Sequence, residues 1–324
     1  RRSSDLFVGK NIYNIWPFYI GGYVYSKVHK LDFKNTIVNS IYTTSLAPVI
    51  SVVAYTFSAN SIAAVILSYL CGAFIGYIMP ELAARMLTAH AGYNLYNTGF
   101  AAGFVAITAN SLFNMFGMPV DPKNIVSPDF NMPLLVLFTI YFLVLIILGY
   151  EHNNKSFEGY GKLMSYSGKL ITDYTRLCGF PVTMVNMGVT GLIALAYVIL
   201  MDGNFNGPTI AALLTLVGFS SCGNHPRNTI SILIGVSVAS KLVNINMTTT
   251  AIVISGLFGT TLAPIVGDFG LVCGFFLGPL HLALVSNIGS LHSGLNLYNN
   301  GLSGGIIAML VVPILDAFSF KEIK

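Results

Sequence analysis

The chain has 324 residues, of which 54% are hydrophobic and only 9% are charged. Soluble domains carry about 25% charged residues, so a surface of this composition is unsuited to water. The 16 Lys and Arg residues against 12 Asp and Glu residues give a net charge of +4 without a basic stripe, which excludes nucleic-acid binding as the main task. Composition therefore predicts an all-α polytopic membrane protein, a multi-pass protein of the cell membrane whose first partner is the lipid bilayer.

Eleven apolar stretches follow one another along the chain, from Ile12–Lys27 to Leu295–Ile314. A helix needs roughly 20 mainly apolar residues to cross a bilayer, and several of these stretches are shorter or interrupted by Gly and Pro. Broken backbone is tolerated inside a membrane only where it is buried in protein or lines a wet cavity. We therefore expect some helices to be broken or re-entrant.

Two of the stretches contain a proline that follows a group of hydroxyl residues. Thr44 precedes the sequence Leu-Ala-Pro that ends at Pro48, and Thr260 precedes the same sequence ending at Pro264. A proline inside a helix frees a backbone carbonyl, and neighbouring hydroxyl groups can satisfy the broken helix. These four residues are predicted helix-break residues, either at a solute-binding discontinuity or at a plain kink.

The chain also contains an internal repeat, whose clearest part is a motif of the form His-x-Gly-x-Asn-Leu-Tyr-Asn-x-Gly. A shift of 202 residues aligns His90–Gly103 with His292–Gly305, with eight identities in fourteen positions. A shift of 216 residues aligns the two Leu-Ala-Pro elements, and a shift of 214 aligns Gly9 with Gly223 and Asn14 with Asn228. The chain is therefore a duplication.

The repeat predicts three regions. Residues 1–118 form a first membrane repeat, residues 119–180 a connecting transmembrane helix and a cytoplasmic amphipathic segment, and residues 181–324 a second repeat. The counterparts of Pro181–Ser221 would fall at or before residue 8, so we expect the first repeat to be N-terminally incomplete. The chain begins at Arg1 and not at Met, which is typical of a truncated or processed form.

The connecting region predicts the orientation in the membrane. Within Glu151–Arg176, three lysines and one arginine are spaced seven residues apart, a pattern that suggests an amphipathic helix on the membrane surface. The positive-inside rule places this segment, and the basic tail Lys321–Lys324, in the cytoplasm, and it places the loop Pro119–Met132 outside. Equivalent ends of the two repeats then face opposite sides, so we predict two inverted structural repeats.

The duplicated motif supplies the candidate solute-binding residues. An unpaired amide or imidazole is costly in hydrocarbon, so these side chains must pair with each other, with backbone or with a permeant. In the alternative interpretation, Asn94 and Asn97 cap a broken helix while Gly99 and Gly103 allow close helix packing. The predicted substrate-binding residues are His90, Asn94, Tyr96, Asn97, His292, Asn296, Tyr298 and Asn299.

Charged residues are rare in the second repeat. Arg227 aligns with Tyr13, and it can anchor the chain at the membrane interface or hold an anionic group at one end of the predicted polar path. Asp268 has no charged counterpart, and we expect it in a turn. The four cysteines lack CxxC spacing, which argues against a disulfide framework or a zinc site. Without a hydrolytic or nucleotide-binding motif, the sequence predicts neither an enzyme nor a metal or cofactor.

The duplicated motif and the run Gly223–Asn228 resemble a family of prokaryotic integral membrane proteins defined by a duplicated domain of unknown function. The runs Leu95–Gly103 and Leu297–Gly305 also resemble, more weakly, a stretch found in both halves of urea transporters. That resemblance implies inverted repeats of about five helices with a polar path between them. The sequence of Phe258–Ala263 is loosely similar to the flavin-attachment motif in membrane subunits of electron-transfer complexes.

The sequence thus predicts a channel or secondary transporter that moves a small polar, uncharged solute between two inverted repeats. Neutral hydrogen-bonding groups would replace the hydration shell of the solute, as they do in selective pores. The alternative is a membrane subunit of a redox or assembly complex that binds a cofactor or partner between its helices. A homo-oligomer is compatible with either function.

Overall fold

The computed structural model describes residues 9–56, 61–118, 120, 130–243, 247–297 and 299–318, and its elements are helices. The helices of the first half are Trp16–Val28 (α1), Ile37–Thr43 (α2), Ala47–Thr56 (α3), Ile62–Ala89 (α4), Asn97–Met115 (α5), Asn131–His152 (α6) and Tyr160–Leu163 (α7). Those of the second half are Tyr174–Cys178 (α8), Phe180–Leu200 (α9), Gly207–Phe219 (α10), Pro226–Leu242 (α11), Thr249–Gly259 (α12), Ala263–Phe269 (α13), Leu271–His292 (α14) and Asn299–Phe318 (α15).

Seven helical stretches among the described residues are long and apolar enough to cross a membrane. Two of them, Ile37–Tyr55 and Thr249–Phe269, each consist of two helices joined by a 3₁₀ turn. The other five are continuous helices, namely α4, α6, α9, α14 and α15. The predicted fold class is therefore confirmed: the chain folds as an all-α polytopic membrane protein.

The chain divides into two compact units. Unit 1 comprises Arg1–Ala89, Tyr96–Asn124 and Asn287–Ser303, and unit 2 comprises His90–Leu95, Ile125–Ser286 and Gly304–Lys324. These units do not coincide with the two sequence repeats, because each unit includes a short piece of the other repeat. Both copies of the duplicated motif lie on such pieces or at their ends.

Unit 1 is held together by close packing of α1 against α4 and by an apolar core. A Cβ atom on Gly21 would lie 2.0 Å from the carbonyl oxygen of Ala73, and one on Gly76 would lie 2.4 Å from that of Phe18. The helices therefore meet at backbone distance, as small residues allow in membrane proteins. The core includes the fully buried Met79.

Unit 2 repeats this arrangement with α11 and α14. A Cβ atom on Gly235 would lie 2.2 Å from the carbonyl oxygen of Phe275, and one on Gly278 would lie 2.5 Å from that of Ile232. The sequence repeat places Gly235 and Gly278 at the positions of Gly21 and Gly76, so the two units use equivalent glycines for equivalent helix contacts. Helix α6 packs along α9 in the same manner, with Gly188 and Gly191 against Phe142.

The segment predicted as an amphipathic surface helix is not one helix. Between the end of α6 and the start of α9, the structure contains only α7, of four residues, and α8, of five. Gly159, Gly168 and Gly179 have positive φ values of 87°, 81° and 88°, which interrupt any helical run. The seven-residue spacing of basic side chains therefore does not reflect a helical face.

Candidate functional site

The duplicated motif adopts the same backbone turn in both copies. Positive φ values follow each histidine, at Ala91 (50°), Gly92 (83°), Ser293 (47°) and Gly294 (76°). The N–H of Tyr93 donates to the carbonyl of His90 at 3.0 Å, and that of Leu295 donates to the carbonyl of His292 at 2.9 Å. The turn ends the preceding helix, and the Asn-Leu pair follows it outside any helix.

The first helix break lies at the 3₁₀ turn Thr44–Leu46, in the middle of the span Ile37–Tyr55. Pro48 has no N–H, so the carbonyl of Thr44 loses its helical partner four residues ahead. The N–H of Ala47 donates to this carbonyl instead, which tightens the helix into a 3₁₀ turn. The Thr44 hydroxyl donates to the carbonyl three residues earlier, at 2.6 Å.

The second break, at Thr260–Leu262 in the span Thr249–Phe269, has the same construction. Pro264 removes a donor, and the N–H of Ala263 donates to the carbonyl of Thr260. The Thr260 hydroxyl again donates to the carbonyl three residues earlier, at 2.6 Å. Thr44 and Thr260 thus begin the two tightened turns, Pro48 and Pro264 lie in the first turn of the helix that follows, and the chain is helical on both sides of each turn.

In unit 2, the motif joins the helix break through backbone and side chain. The N–H of Leu95 donates to the carbonyl of Thr261 at 3.0 Å, and the Thr261 hydroxyl donates to Oδ1 of Asn94 at 2.5 Å. The N–H of Asn94 donates to Nδ1 of His90 at 3.3 Å. The side chains of His90, Asn94 and Thr261 are all buried. They form one neutral polar cluster at the middle of a spanning helix.

In unit 1, the equivalent backbone contact is present but the side-chain contact differs. The N–H of Leu297 donates to the carbonyl of Ser45 at 3.0 Å, which matches the bond from Leu95 to Thr261. The Ser45 hydroxyl is fully buried and has no hydrogen-bond partner among the described residues. Asn296, the counterpart of Asn94, instead donates from Nδ2 to the carbonyl of Gly99 at 3.5 Å.

The remaining predicted residues of unit 1 link its helices. Nδ2 of Asn97 donates to the carbonyl of Ala83 at 2.9 Å, and Nε2 of His292 lies 2.9 Å from Oδ1 of Asn299. Tyr96 is buried at the N-cap of α5, which has no side-chain capping hydrogen bond. Tyr298 lies outside the described residues.

The glycines of the motif do support close packing. A Cβ atom on Gly301 would lie 3.0 Å from Cα of Gly99, and one on Gly103 would lie 2.6 Å from Cβ of Leu302. Both contacts lie within unit 1. The polar residues and the glycines of the motif thus have separate roles, the first in hydrogen bonding and the second in bringing backbones together.

The buried polar residues of the described ranges carry hydroxyl, amide or imidazole groups. They are Ser, Thr, Asn and His, together with tyrosines such as Tyr96, and Asp, Glu, Lys and Arg are absent among them. The described residues also hold no group of three or more His, Cys, Asp or Glu that could bind a metal ion. The interior therefore offers hydrogen-bond donors and acceptors without fixed charge.

Sequence reasoning missed a second cluster in unit 2, formed around Tyr93. The Tyr93 hydroxyl donates to Oδ2 of Asp268 at 2.8 Å, and Nζ of Lys169 lies 4.1 Å from the centre of the Tyr93 ring. The N–H of Leu170 donates to the carbonyl of Gly92 at 3.0 Å. Asp268 was expected in a turn, but it lies in the last turn of α13. The motif of the first repeat is thereby tied to the connecting segment.

The turn before α11 has the same hydrogen bonds as its counterpart in the first repeat. The N–H of His225 donates to Oδ1 of Asn228 at 2.9 Å, and Nδ2 of Asn228 donates to the carbonyl of Gly223 at 2.9 Å. In unit 1 the N–H of Asn11 donates to Oδ1 of Asn14 at 2.8 Å, and Nδ2 of Asn14 donates to the carbonyl of Gly9, the counterpart of Gly223, at 3.1 Å. The alignment at a shift of 214 residues therefore corresponds to one local fold used twice.

This turn borders a cavity of about 190 Å³ in unit 2, lined among others by Ser165, Tyr166, His225, Arg227 and Asn228. Burial lowers the pKa of His225 from 6.5 to about 4, although the carbonyl of Tyr166, 2.9 Å from Nε2, favours the charged form. His225 is therefore neutral at pH 7, and Arg227 carries the positive charge of the lining.

These features define the class: an all-α polytopic membrane protein with two equivalent helix breaks, each contacted by one copy of a duplicated motif. The chain belongs to the family described as protein of unknown function (DUF1576), whose model matches residues 6–115 and 152–317. Each matched range contains one copy of the motif. No curated protein and no solved structure matches the chain.

Proposed function

We propose that this protein is a channel or secondary transporter that moves a small polar, uncharged solute across the membrane. The observation that carries the proposal is the pair of equivalent 3₁₀ breaks, each in the middle of a candidate span and each hydrogen-bonded by the duplicated motif. In membrane transport proteins, irregular backbone at this depth is tolerated where it is buried or lines a polar cavity.

The neutrality of the buried polar groups supports an uncharged solute. A charged solute at the middle of a bilayer needs opposite charges or many oriented dipoles, because the medium solvates it poorly. The buried groups near the breaks are hydroxyls, amides and imidazoles, such as those of Ser45, Asn94 and Thr261. Such groups replace the hydrogen bonds that a neutral polar solute gives up when it leaves water.

Ser45 provides the most discriminating position for a test. Its hydroxyl is fully buried and has no partner among the described residues, whereas the equivalent Thr261 hydroxyl is bonded to Asn94. Removing a buried hydroxyl that has no partner is neutral or stabilising for the fold, because no hydrogen bond is lost. A loss of transport in Ser45→Ala would therefore indicate a contact with the solute and not a folding defect.

The experiment measures uptake into liposomes that contain the purified protein, with urea, acetamide and glycerol as neutral probes and sodium formate as a charged probe. We expect flux of at least one neutral probe above that of empty liposomes, and about a tenfold lower flux in Ser45→Ala, the equivalent of one hydrogen bond. The matched control is Ser111→Ala, because Ser111 is exposed on α5 and donates only to the carbonyl four residues earlier. Flux of no neutral probe, or equal flux in Ser45→Ala and wild type, would contradict the proposal.

A further inference from the structure

We propose that the cavity before α11 is a binding site for an oxyanion that still carries a proton, such as hydrogen phosphate or a phosphate monoester. The cavity lies in unit 2 and is lined by Ser165, Tyr166, His225, Arg227 and Asn228, among others. Its lining residues do not include those of the helix break at Thr260–Leu262, and the inference does not depend on the proposed transport of a neutral solute.

Arg227 indicates the sign of the ligand. It is exposed at the second residue of α11, a helix of 17 residues with no acidic side chain in its first turn, and it forms no ion pair with a described residue. A cation at a helix N-terminus is unfavourable, because the macrodipole places partial positive charge there. An anion in the cavity removes this conflict, since the guanidinium and the helix terminus then attract the same group.

The turn itself does not require this arginine. The equivalent turn in unit 1 has the same two asparagine hydrogen bonds, yet it has Tyr13 at the position of Arg227 and Asn11 at the position of His225. Two of the residues that differ between the turns, His225 and Arg227, line the cavity in unit 2. The turn folds without them in unit 1, so their presence in unit 2 points to what the cavity holds.

His225 indicates that the ligand has a proton to donate. Its Nε2 atom is 2.9 Å from the carbonyl of Tyr166, and a carbonyl only accepts, so Nε2 carries the ring hydrogen. Nδ1 is then an acceptor. It is buried, it faces the first turn of α11 in a capping-box arrangement with Asn228, and no donor among the described residues forms a hydrogen bond with it. A ligand O–H satisfies this atom, whereas a fully deprotonated oxyanion would repel it.

The charged side chain that lines the cavity itself is Arg227. Asp268 follows the lining residue Gly267, but its carboxylate accepts from the Tyr93 hydroxyl at 2.8 Å, and Lys169 lies over the same tyrosine ring. Asp316 also acts on Tyr93, so the two carboxylates and Lys169 are grouped around this tyrosine and not in the cavity lining. The volume of 190 Å³ equals that of about six water molecules, enough for one tetrahedral oxyanion with some water.

The test compares inorganic phosphate with sulfate, which has nearly the same shape but no proton at neutral pH. Binding to the purified protein in phosphatidylcholine nanodiscs is measured by calorimetry at pH 7. We expect phosphate to bind at least tenfold more tightly than sulfate. Arg227→Tyr should weaken the binding of both anions at least tenfold. His225→Asn should reduce the preference for phosphate over sulfate, because the shorter asparagine side chain does not place an acceptor at the position of Nδ1. Both variants carry the residues of the equivalent turn in unit 1, so the fold should accept them.

A second arm identifies the source of the phosphate group. Nanodiscs that contain phosphatidic acid should raise the apparent Kd for inorganic phosphate if the site takes a lipid phosphomonoester, and leave it unchanged if the site takes the free ion. Arg227→Gln provides a second variant without charge in case Arg227→Tyr aggregates. Absence of phosphate binding, equal binding of sulfate, or unchanged binding in the Arg227 variants would overturn the inference. Uptake of the neutral probe tests transport separately.

Discussion

At the scale of single residues, the two helix breaks differ by one methyl group in each of two places. In unit 2, Thr261 faces Gly304, where an added Cβ atom would lie 2.5 Å from Cγ2 of Thr261. The repeat aligns these two residues with Ser45 and Ala102 of unit 1, both fully buried. Threonine thus occurs with glycine in unit 2, and serine occurs with alanine in unit 1. The two pairs therefore have about the same total side-chain volume.

This pairing predicts that Gly304→Ala destabilises the protein and that Thr261→Ser rescues it. The alanine overpacks the contact with the threonine methyl, which costs about 1–3 kcal/mol. Serine removes that methyl while retaining the hydroxyl that donates to Asn94, so the double variant reproduces the pair found in unit 1. Thermal unfolding of wild type, both single variants and the double variant in one detergent measures the coupling between the two positions.

The single variant Thr261→Ser serves as the control for this cycle, because it leaves a small cavity and should cost about 1 kcal/mol. The rescue requires that the double variant be more stable than Gly304→Ala alone. If the two effects simply add, the glycine is present for another reason than the threonine methyl.

At the scale of helices, glycines set how closely the elements approach. Gly21 and Gly76 in unit 1, and Gly235 and Gly278 in unit 2, each face a carbonyl oxygen of the opposing helix within 2.5 Å of where a Cβ atom would be. Because lipid gives little hydrophobic driving force between helices, this close van der Waals packing is a main source of association.

We therefore expect Gly235→Ala to destabilise unit 2 by about 1–3 kcal/mol, because backbone of α14 blocks the added methyl group. The matched control is Gly218→Ala in α10, where no atom lies within 4 Å of the added Cβ atom. That control should be neutral or up to about 1 kcal/mol more stable, since alanine favours the helix over glycine. The measurement is the fraction of monodisperse protein after heating, by size-exclusion chromatography. Equal behaviour of the two variants would contradict the packing argument.

The sequence predicted the helical elements better than their connections. The breaks at Pro48 and Pro264 follow from local chemistry, because proline always removes a donor, and the structure has its 3₁₀ turns there. The prediction of a surface helix within Glu151–Arg176 is wrong, because glycines that interrupt a helix lie between the evenly spaced basic residues. Gly159 and Gly168 adopt positive φ and mark turns instead.

At the scale of the whole molecule, the repeat could be predicted from the sequence. The assignment of a short segment of each repeat to the unit formed mainly by the other repeat could not. His90 and Asn94 fall in unit 2, whereas Asn97, only three residues later, falls in unit 1. No local pattern contains this information, because it depends on which distant helix receives each hydrogen bond. The alignment at a shift of 216 residues did contain part of this information. It pairs Thr261 with Ser45, the two residues whose carbonyls accept hydrogen bonds from the duplicated motif.

The orientation in the membrane remains a prediction, and the antiparallel pair α6 and α9 offers a direct test. Segment 153–179 joins the end of α6 to the start of α9, while Asn131 at the other end of α6 accepts from the N–H of Phe205 at 2.7 Å, just after α9. Lys155 and Asn204 therefore lie at opposite ends of this helix pair, and both are exposed.

By the positive-inside rule, Lys155 is cytoplasmic and Asn204 faces outward. Single-cysteine variants Lys155→Cys and Asn204→Cys, made in a background without the four native cysteines, are treated in intact cells with a membrane-impermeant maleimide. We expect the cysteine at position 204 to be labelled at once and that at position 155 only after permeabilisation. The cysteine-free protein controls for background labelling. The reverse pattern would invert the orientation, and labelling of both positions in sealed cells would contradict a crossing by α6 and α9.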